Sequence, residues 1–493
     1  MPMHQGLVDA ARSFGDRDFI RAGEDAWSFA DIDGLSNAFA RHLEAVGVGP
    51  GDRVAVMSTN RVEFVIAVEG ISKRGAAAVL LSPAWKALEV DHALGLTNPV
   101  HAVADGEAVA LLRDRVSGLT DLDDLGAAFA LSRQALENDV PESAESVLVF
   151  SSGTTGLPKA VRHTHASMGH AIRHWQESLA LGPDDRFQVA TPPTHILGLL
   201  NLVTAAASGT TIRLHARFDL EEVLRRIETD RITLEMAVAP IALAMANHPR
   251  LEEFDLSSLR FIMWGATPVT ESVAETVTAR TGVRWLPAYG ASELPVLACN
   301  PVSRPDEWRL DSAGLPPDGV EFRVASLTTG EALPFGEVGE IQARSPSVMA
   351  GYLPDDANAD AFADGWYRTG DVGWLEPEGW VHLTDRAKEM IKVSGFQVAP
   401  AEIETVLLGH ADVVDCAVFG IPDERVGEVP VAAVQLRVGA IANGPELQEL
   451  VAKSLATYKG LRHVVFVDAV PRLPSGKALR RTLRDQWMTG ADA

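Results

Sequence analysis

The chain has 493 residues, which at the usual ~150 residues per domain makes roughly three units and excludes a single small binding module. Apolar residues make up 46% and charged residues 22%, with 41 Gly and 28 Pro, which excludes fibrous, collagen-like and disordered classes. The 43 basic and 67 acidic residues leave a formal charge of -24, a field that repels nucleic acid and anionic lipid headgroups.

The amino terminus, MPMHQGLVDAARSFGDRDF, meets acidic residues before any apolar run long enough for a signal peptide, so a cytoplasmic location is expected. In GDRVAVMS, from Gly51, a short strand is expected. Asn60 is expected to cap a helix carrying Val62, Val65 and Ile66, Gly75 to end it, and AAVLL to form a second strand, completing a βαβ unit. The most apolar stretch, Ile196 to Ile212, is interrupted by Asn201, Thr204, Ser208 and Gly209. It falls short of the ~20 apolar residues of a membrane span and reads as a buried helix leading into a strand. Further on, Asp219 and Glu222 suggest a capping box on a helix with Val223, Leu224 and Ile227, followed by RITLEMAV with alternating Ile232, Leu234, Met236 and Val238. Strands alternating with helices give an α/β class with largely parallel sheets covered on both faces.

Toward the carboxyl end, Gly336 to Tyr352 and Gly365 to Leu383 have the Gly, Trp and short alternation of antiparallel strands. The dense charge run DRAKEMIKVSG follows. PAEIETVLLGH then reads as a helix with Pro400 in its first turn, and VVDCAVFGIPD as a strand into a turn, so a separate α+β unit starts near Asp385 with the charge run as its linker. Cys299 and Cys416 lie in no CxxC and no Cys/His cluster, which indicates neither a disulfide framework nor a structural zinc site.

The most informative stretch is FSSGTTGLPKAV, Phe150 to Val161, after the apolar VLVF. Gly153 and Gly156 let the backbone approach an anion, Ser151, Ser152, Thr154 and Thr155 offer hydroxyl donors, and Lys159 adds a point charge, together a phosphate cradle. It is not a Walker A loop, because Lys159 follows Pro158 and no Gly-Lys-Ser/Thr run occurs there. A solvated Ser/Thr/Gly loop is the bland alternative, disfavoured by the strand lead-in and the terminal lysine. In AYGASEL, Tyr289 offers a flat face for a purine, Ser292 a hydroxyl and Glu293 a hard oxygen ligand for Mg2+ on a polyphosphate, whereas the same string alone would be a turn. Its GxSxG pattern is incomplete at Leu294, so a nucleophile-elbow hydrolase is not supported, and HExxH and GxGxxG are absent.

Residues 151 to 159 match the phosphate-loop signature of the adenylate-forming superfamily of acyl-CoA synthetases, 4-coumarate-CoA ligases, luciferases and peptide-synthetase adenylation domains at every defined position. The chain also resembles that family, in order, at Pro192 to Gly198 (PPTHILG), Trp264 to Val269 (WGATPV), Ala288 to Leu294, Tyr367 to Asp371 (YRTGD), Asp385 to Glu404 (DRAKEMIKVSGFQVAPAEIE) and Pro471 to Arg481 (PRLPSGKALRR). The resemblance implies a large amino-terminal domain, residues 1–384, of two βαβ-rich sheet subdomains plus a small β-barrel-like region. A hinge at 385–388 pivoting on Lys388, and a small mobile α+β domain over 389–493, complete the implied architecture.

It implies further that Ser151, Ser152, Gly153, Thr154, Thr155, Gly156 and Lys159 hold phosphates. Gly265 and Ala266 would form a floor against adenine and Tyr289 a flat face beside it, Ala288, Gly290 and Ser292 would also bind the nucleotide, Ser292 through its hydroxyl, and Glu293 with Thr155 would hold Mg2+. Asp371 would take the ribose hydroxyls, with a turn aspartate as the alternative, and Arg386 the ribose or a phosphate, with a surface pair to Asp385 or Glu389 as its alternative. His195 would border the acyl carboxylate, although a histidine between apolar neighbours is as often a satisfied core residue. Lys477 would stabilise the charge that builds as a carboxylate attacks the α-phosphorus of ATP, and needs no general base beside it because the nucleophile is already ionised. After rotation of the small domain, Lys392 would serve the thioester step, with Ser394 and Gly395 lining the thiol channel.

The implied activity is an ATP-dependent, AMP-forming ligation of a carboxylic acid to coenzyme A. KVSGFQVAPAEIE is more similar to CoA ligases than to acyl-AMP ligases that load carrier proteins. No acidic residue in PPTHILG is present to pair an α-ammonium, which argues against an amino-acid substrate. A catalytically silent nucleotide sensor and a luciferase-like oxygenase are the readings from other classes. Ala160 and Ser292 depart conservatively from the commoner glycine and threonine. Trp264, His195, Leu294 and Pro295 are expected at the acid pocket, and the apolar Ile196 to Val203 points to a fatty or aryl acid. Expected partners are the small acid and CoA, with no nucleic acid and no integral membrane contact; a homodimer is left open.

Overall fold

Two of the sheets are built from short runs that are apolar at nearly every position, as required of parallel strands covered on both faces. The computed structural model describes residues 1–151, 158–265, 270–387, 389–393, 396–423, 425–473 and 476–489. In the first sheet, strand Arg53–Met57 lies between Ala77–Leu80 and His101–Ala104, both parallel to it, and helix Val62–Arg74 makes the expected crossover. Gly75 ends that helix, but Asn60 does not cap it: the helix starts after Arg61 without a side-chain cap, and Asn60 Nδ2 donates to the Thr191 carbonyl 3.1 Å away. Asn60 is thereby spent joining the ends of the two large sheets.

Strand Glu145–Ser151 continues this sheet in parallel, and Lys159–Thr164 returns antiparallel to it. The sheet ends on Gly351–Leu353, a strand the sequence pattern assigned to the later antiparallel region.

The second sheet is centred on strands Arg186–Val189, Thr211–Leu214, Leu234–Met236, Phe261–Trp264 and Trp285–Tyr289, all parallel. Helix Ile196–Ser208 and strand Thr211–Leu214 form as the apolar stretch predicted. Asp219 accepts from the Glu222 N–H, but the reciprocal half of the capping box is missing because Glu222 pairs with Arg225 and Arg226. The small β region is a five-stranded antiparallel sheet that includes Gly339–Arg344, Trp366–Leu375 and Val381–Arg386. A last five-stranded sheet around Val413–Asp423 and Gly427–Leu436 carries helices Pro400–Leu408, Gly444–Ser454 and Arg480–Thr489. The architecture is the α/β organisation expected, with a large multi-sheet part and a smaller α+β part. Among the described residues no helix is long and apolar enough to cross a membrane.

Because the second sheet is covered on both faces, its alternation hides charge. Glu235 lies between Leu234 and Met236 and is itself buried. Gln188 Nε2 donates to its Oε2 at 2.6 Å, and Gln188 Oε1 accepts from His215 Nε2 at 2.6 Å. Burial raises Glu235 to about 8, against the Gln188 bond that favours ionisation. The unfolded carboxyl ionises near 4.5 while the folded one keeps its proton, so this group's stabilising contribution is present below 4.5 and lost as pH rises toward 8. Glu235→Gln is therefore expected to raise the thermal midpoint at pH 8 by roughly 2 °C or more, with the gain vanishing toward pH 4.5. Melts giving the same difference at both pH values would contradict this account.

Candidate active site

Ser151 ends strand Glu145–Ser151, Gly265 follows Phe261–Trp264 and Tyr289 ends Trp285–Tyr289, so all three stand at the carboxyl ends of parallel strands, where open α/β sheets collect their ligands. The hairpin register sets Ser151 opposite Lys159 and so brings the two ends of the glycine- and hydroxyl-rich segment together. Ser152, Gly153, Thr154, Thr155 and Gly156 lie outside the described residues, as do Ala266, Lys388, Ser394 and Gly395.

Lys159 projects its Nζ over the ring of Tyr352, 5.3 Å from the centroid. The Tyr352 hydroxyl donates to Glu293 Oε1 at 2.8 Å, and Glu293 is only 8% exposed. Further along the strand that starts with Lys159, the buried His163 donates from Nε2 to the Ser292 carbonyl at 2.7 Å. Burial pulls His163 down to about 4, so the imidazole is neutral at ordinary pH, and a donated Nε2–H fixes its tautomer. One strand thus supplies the loop lysine and holds the Tyr289–Glu293 loop. With ATP as the substrate that the resemblance implies, removing that buried hydrogen bond with His163→Leu is expected to raise its KM about tenfold, and His163→Gln, which keeps a donor, to recover part of it. An unchanged KM in His163→Leu would remove this role.

In the same loop Gly290 is sterically required, since a Cβ there would sit 2.1 Å from the Pro295 carbonyl oxygen. Gly265 is not required by the protein itself: a Cβ would meet Ala288 O and Met263 Sδ at an ordinary 3.5 Å. Ala288 and Tyr289 end strand Trp285–Tyr289, paired with Cys299 and Ala298.

The Tyr289 hydroxyl donates to Asp371 Oδ2 at 2.5 Å, and Arg386 Nε lies 2.9 Å from Asp371 Oδ1. Asp371 and Arg386 are cross-strand partners, so backbone register makes this pair. Arg386 is held above its ordinary pKa first by the Asp371 charge, against the opposing effect of burial. Each Asp371 oxygen keeps a second lone pair for another donor. The surface pairing of Arg386 with Asp385 or Glu389 is not what forms.

The carboxyl-terminal part packs against the second sheet's side of the large part through the loop before Lys477. Gly476 has φ +84 and packs so closely on Pro240 that a Cβ would lie 2.9 Å from its Cδ. Pro240 belongs to helix Ala239–Ala246, which follows strand Leu234–Met236, and Arg437 bonds Asn247 just past that helix at 2.9 Å. Lys477 Nζ stands 3.1 Å from Glu389 Oε1, Arg480 pairs with the same carboxylate, and Arg480 also reaches Glu404 at 2.8 Å. Burial opposes ionisation of Glu389, but Arg480 and Lys477 outweigh it and hold its pKa below the ordinary value.

Lys392 is apart from this group. It is exposed on strand Ile391–Val393, its backbone N–H donates to Glu428 Oε2, and no hydrogen bond or ion pair among the described residues links its side chain to Glu293, Asp371, Arg386 or Lys477. His195 caps helix Ile196–Ser208, its Nδ1 accepting the Leu197 N–H at 3.3 Å, and burial lowers its pKa. This bond occupies Nδ1 only, and the place of His195 beside the acyl carboxylate stays a proposal. Sequence reasoning missed Tyr352, His163 and Glu389; the scarcity of tyrosine, four in the chain, was the available signal for the first.

Residues 7–353 match the AMP-binding enzyme family and residues 402–477 the AMP-binding enzyme C-terminal domain. The chain is 33% identical to 4-coumarate–CoA ligase 5 of Oryza sativa subsp. japonica, over 100% of this chain and 96% of that protein. ATP-bound MatB of Rhodopseudomonas palustris superposes with a TM-score of 0.91 at 25% identity, covering 99% of both chains. Apo MatB gives 0.82 at 26% identity, covering 99% of this chain and 98% of that one. Matched along nearly its whole length in both sequence and fold, the chain belongs to the AMP-binding enzyme family of adenylate-forming ligases.

Proposed function

We propose that the protein is an ATP-dependent acid–thiol ligase that joins an apolar carboxylic acid to AMP, releases pyrophosphate, and passes the acyl group to coenzyme A. The observation that carries this is that Lys159, Glu293, Asp371, Arg386 and the Glu389-held Lys477 form one linked group of charges, in which Arg386 pairs with Asp371 and also feels the charges of Glu293 and Glu389. In the first step a carboxylate oxygen bonds to the α-phosphorus while the bond to the β-phosphate bridge breaks. The nucleophile arrives ionised, so the site has to position it and offset charge rather than remove a proton.

Asp371 accepts the ribose hydroxyls, Arg386 steadies both, and adenine lies by Ala288, Tyr289 and Gly290 over Gly265 and Ala266. Ser151, Ser152, Gly153, Thr154, Thr155, Gly156 and Lys159 take the phosphates, with Ser292 beside them. Lys477 meets the charge developing on the transferred phosphoryl oxygens. Among the described residues no three His, Cys, Asp or Glu cluster as a metal cage. A single carboxylate, Glu293, suits Mg2+ held largely by phosphate oxygens and water, with Thr155 as its second protein ligand, and the ion would neutralise pyrophosphate charge.

In the second step the thiol adds to the acyl carbon and AMP leaves. Lys477 is held by Glu389 while Lys392 stands exposed with no side-chain link to that group, which supports residues 389–493 turning about Lys388, within 385–388, against residues 1–384. The rotation brings Lys392, Ser394 and Gly395 to the thiol. The seating of Gly476 on Pro240, and the higher superposition score with ATP-bound than with apo MatB, favour the adenylating arrangement for the structure described.

An aryl acid is favoured over a fatty one, because curated relatives are named 4-coumarate–CoA ligases. A panel of aryl and fatty acids, scored by pyrophosphate release with and without CoA, tests acid and acceptor together. Release that needs an acid and continues into thioester on adding CoA is expected. Pyrophosphate exchange with no acid dependence would sink the ligase reading, and acyl-AMP that accumulates unaffected by CoA would sink the acceptor.

A further inference from the structure

The site keeps a cation and an anion close together without letting them pair. Lys159 and Glu293 both border Tyr352, yet no ion pair forms between them within 4.0 Å. We propose that Tyr352 is a positioning residue for the ATP-using half-reaction, its ring presenting Lys159 to the phosphates and its hydroxyl orienting Glu293 while keeping the two charges from collapsing onto each other. The inference rests on the ligase reading above.

The placement of Tyr352 is fixed by backbone on both sides. It pairs with Val161 in the strand that carries Lys159. Its N–H donates to Asn358 Oδ1 at 2.7 Å, and Asn358 Nδ2 donates back to its carbonyl at 3.1 Å. Three residues earlier, the Met349 N–H donates to the Glu293 carbonyl at 2.8 Å, tying the same segment to the Tyr289–Glu293 loop. A second phenol, Tyr367, stands beside Tyr352 and Glu293 and helps enclose the Tyr352 hydroxyl.

The chemistry suits a holding role. An ammonium over an aromatic face gains a modest attraction, weaker than its charge-assisted bonds to phosphate, so Lys159 is kept extended yet released when a triphosphate arrives. A direct Lys159–Glu293 pair would do the opposite. It would neutralise both groups, and ATP would have to break it before binding. A phenol bonded to Oε1 leaves Oε2 directed elsewhere, which is the geometry a cation-binding carboxylate needs.

The test separates the two ends of the side chain. ATP without acid, and AMP as the control, are titrated calorimetrically into wild type, Tyr352→Leu and Tyr352→Phe at several Mg2+ concentrations. Tyr352→Leu is expected to weaken ATP about tenfold and AMP less than twofold, because Lys159 addresses only the triphosphate. Tyr352→Phe keeps the ring. Its ATP affinity at saturating Mg2+ should stay within about threefold of wild type, while the Mg2+ concentration giving half-maximal ATP affinity rises about fivefold. Equal losses for ATP and AMP in Tyr352→Leu would overturn the proposal as a general effect on the fold, and so would a Tyr352→Phe variant with an unshifted Mg2+ dependence. Wild-type protein that binds neither nucleotide would overturn the ligase reading and this inference with it, an outcome distinct from variants that merely match wild type.

Discussion

Lys477→Ala is expected to slow acyl-adenylate formation by about 10²–10³-fold while leaving thioester formation from supplied acyl-AMP within a fewfold of wild type. The size follows from the moment at which the ammonium acts. Charge on the transferred phosphoryl oxygens is greatest in the transition state, so a positioned cation lost there costs rate rather than substrate affinity. In the structure this ammonium is tethered through Glu389 to Arg480 and Glu404, which limits its wandering before ATP arrives. Lys477→Arg keeps the charge but not the reach, and should recover only part of the loss. ATP–pyrophosphate exchange measures the first half-reaction, and AMP release from synthetic acyl-AMP plus CoA the second. Equal losses in both would count against two arrangements of the small part.

The second large effect is expected in the other half-reaction. Lys392→Ala should slow thioester formation from supplied acyl-AMP by roughly 10–100-fold and change pyrophosphate exchange little. Lys392 stands exposed and unconnected to Glu293, Asp371 or Lys477 in the arrangement described, so adenylation has no use for it there. Intact CoA transfer in this variant would remove the assigned role.

What the sequence revealed was whatever is carried by a contiguous string. Lys159, Asp371 and Arg386 sit in short motifs whose residue types state their chemistry, and the register that joins Asp371 to Arg386 only sharpens that reading. What it concealed was long-range. Tyr352 lies at the end of a run that looks like the antiparallel region, and only the three-dimensional return of Gly351–Leu353 to the first sheet sets it beside Lys159 and Glu293.

The charge run from Asp385 read as a solvated linker, yet Asp385, Arg386 and Glu389 within it are engaged. Asp385 accepts the backbone N–H groups of Arg386 and Ala401, its pKa raised by burial to about 6 despite nearby Arg480, and Glu389 binds two cations. Buried charge was equally invisible inside helix Val62–Arg74, where Lys73 is 4% exposed and meets Asp33, Ser36 and Asn37 at 2.6 to 2.9 Å. Periodicity reports which faces are covered. It does not report which polar partners wait beneath the cover.

The distribution of tyrosine supplies a built-in spectroscopic reporter. Of the four in the chain, Tyr289, Tyr352 and Tyr367 surround Glu293 and Asp371, and Tyr458 stacks on Phe396, 4.5 Å away on the carboxyl-terminal part. Protein grown on fluorotyrosine therefore carries four fluorine nuclei, three of them reading the nucleotide end and one the surface beside Lys392, so a single unassigned NMR spectrum can follow both half-reactions in the intact enzyme.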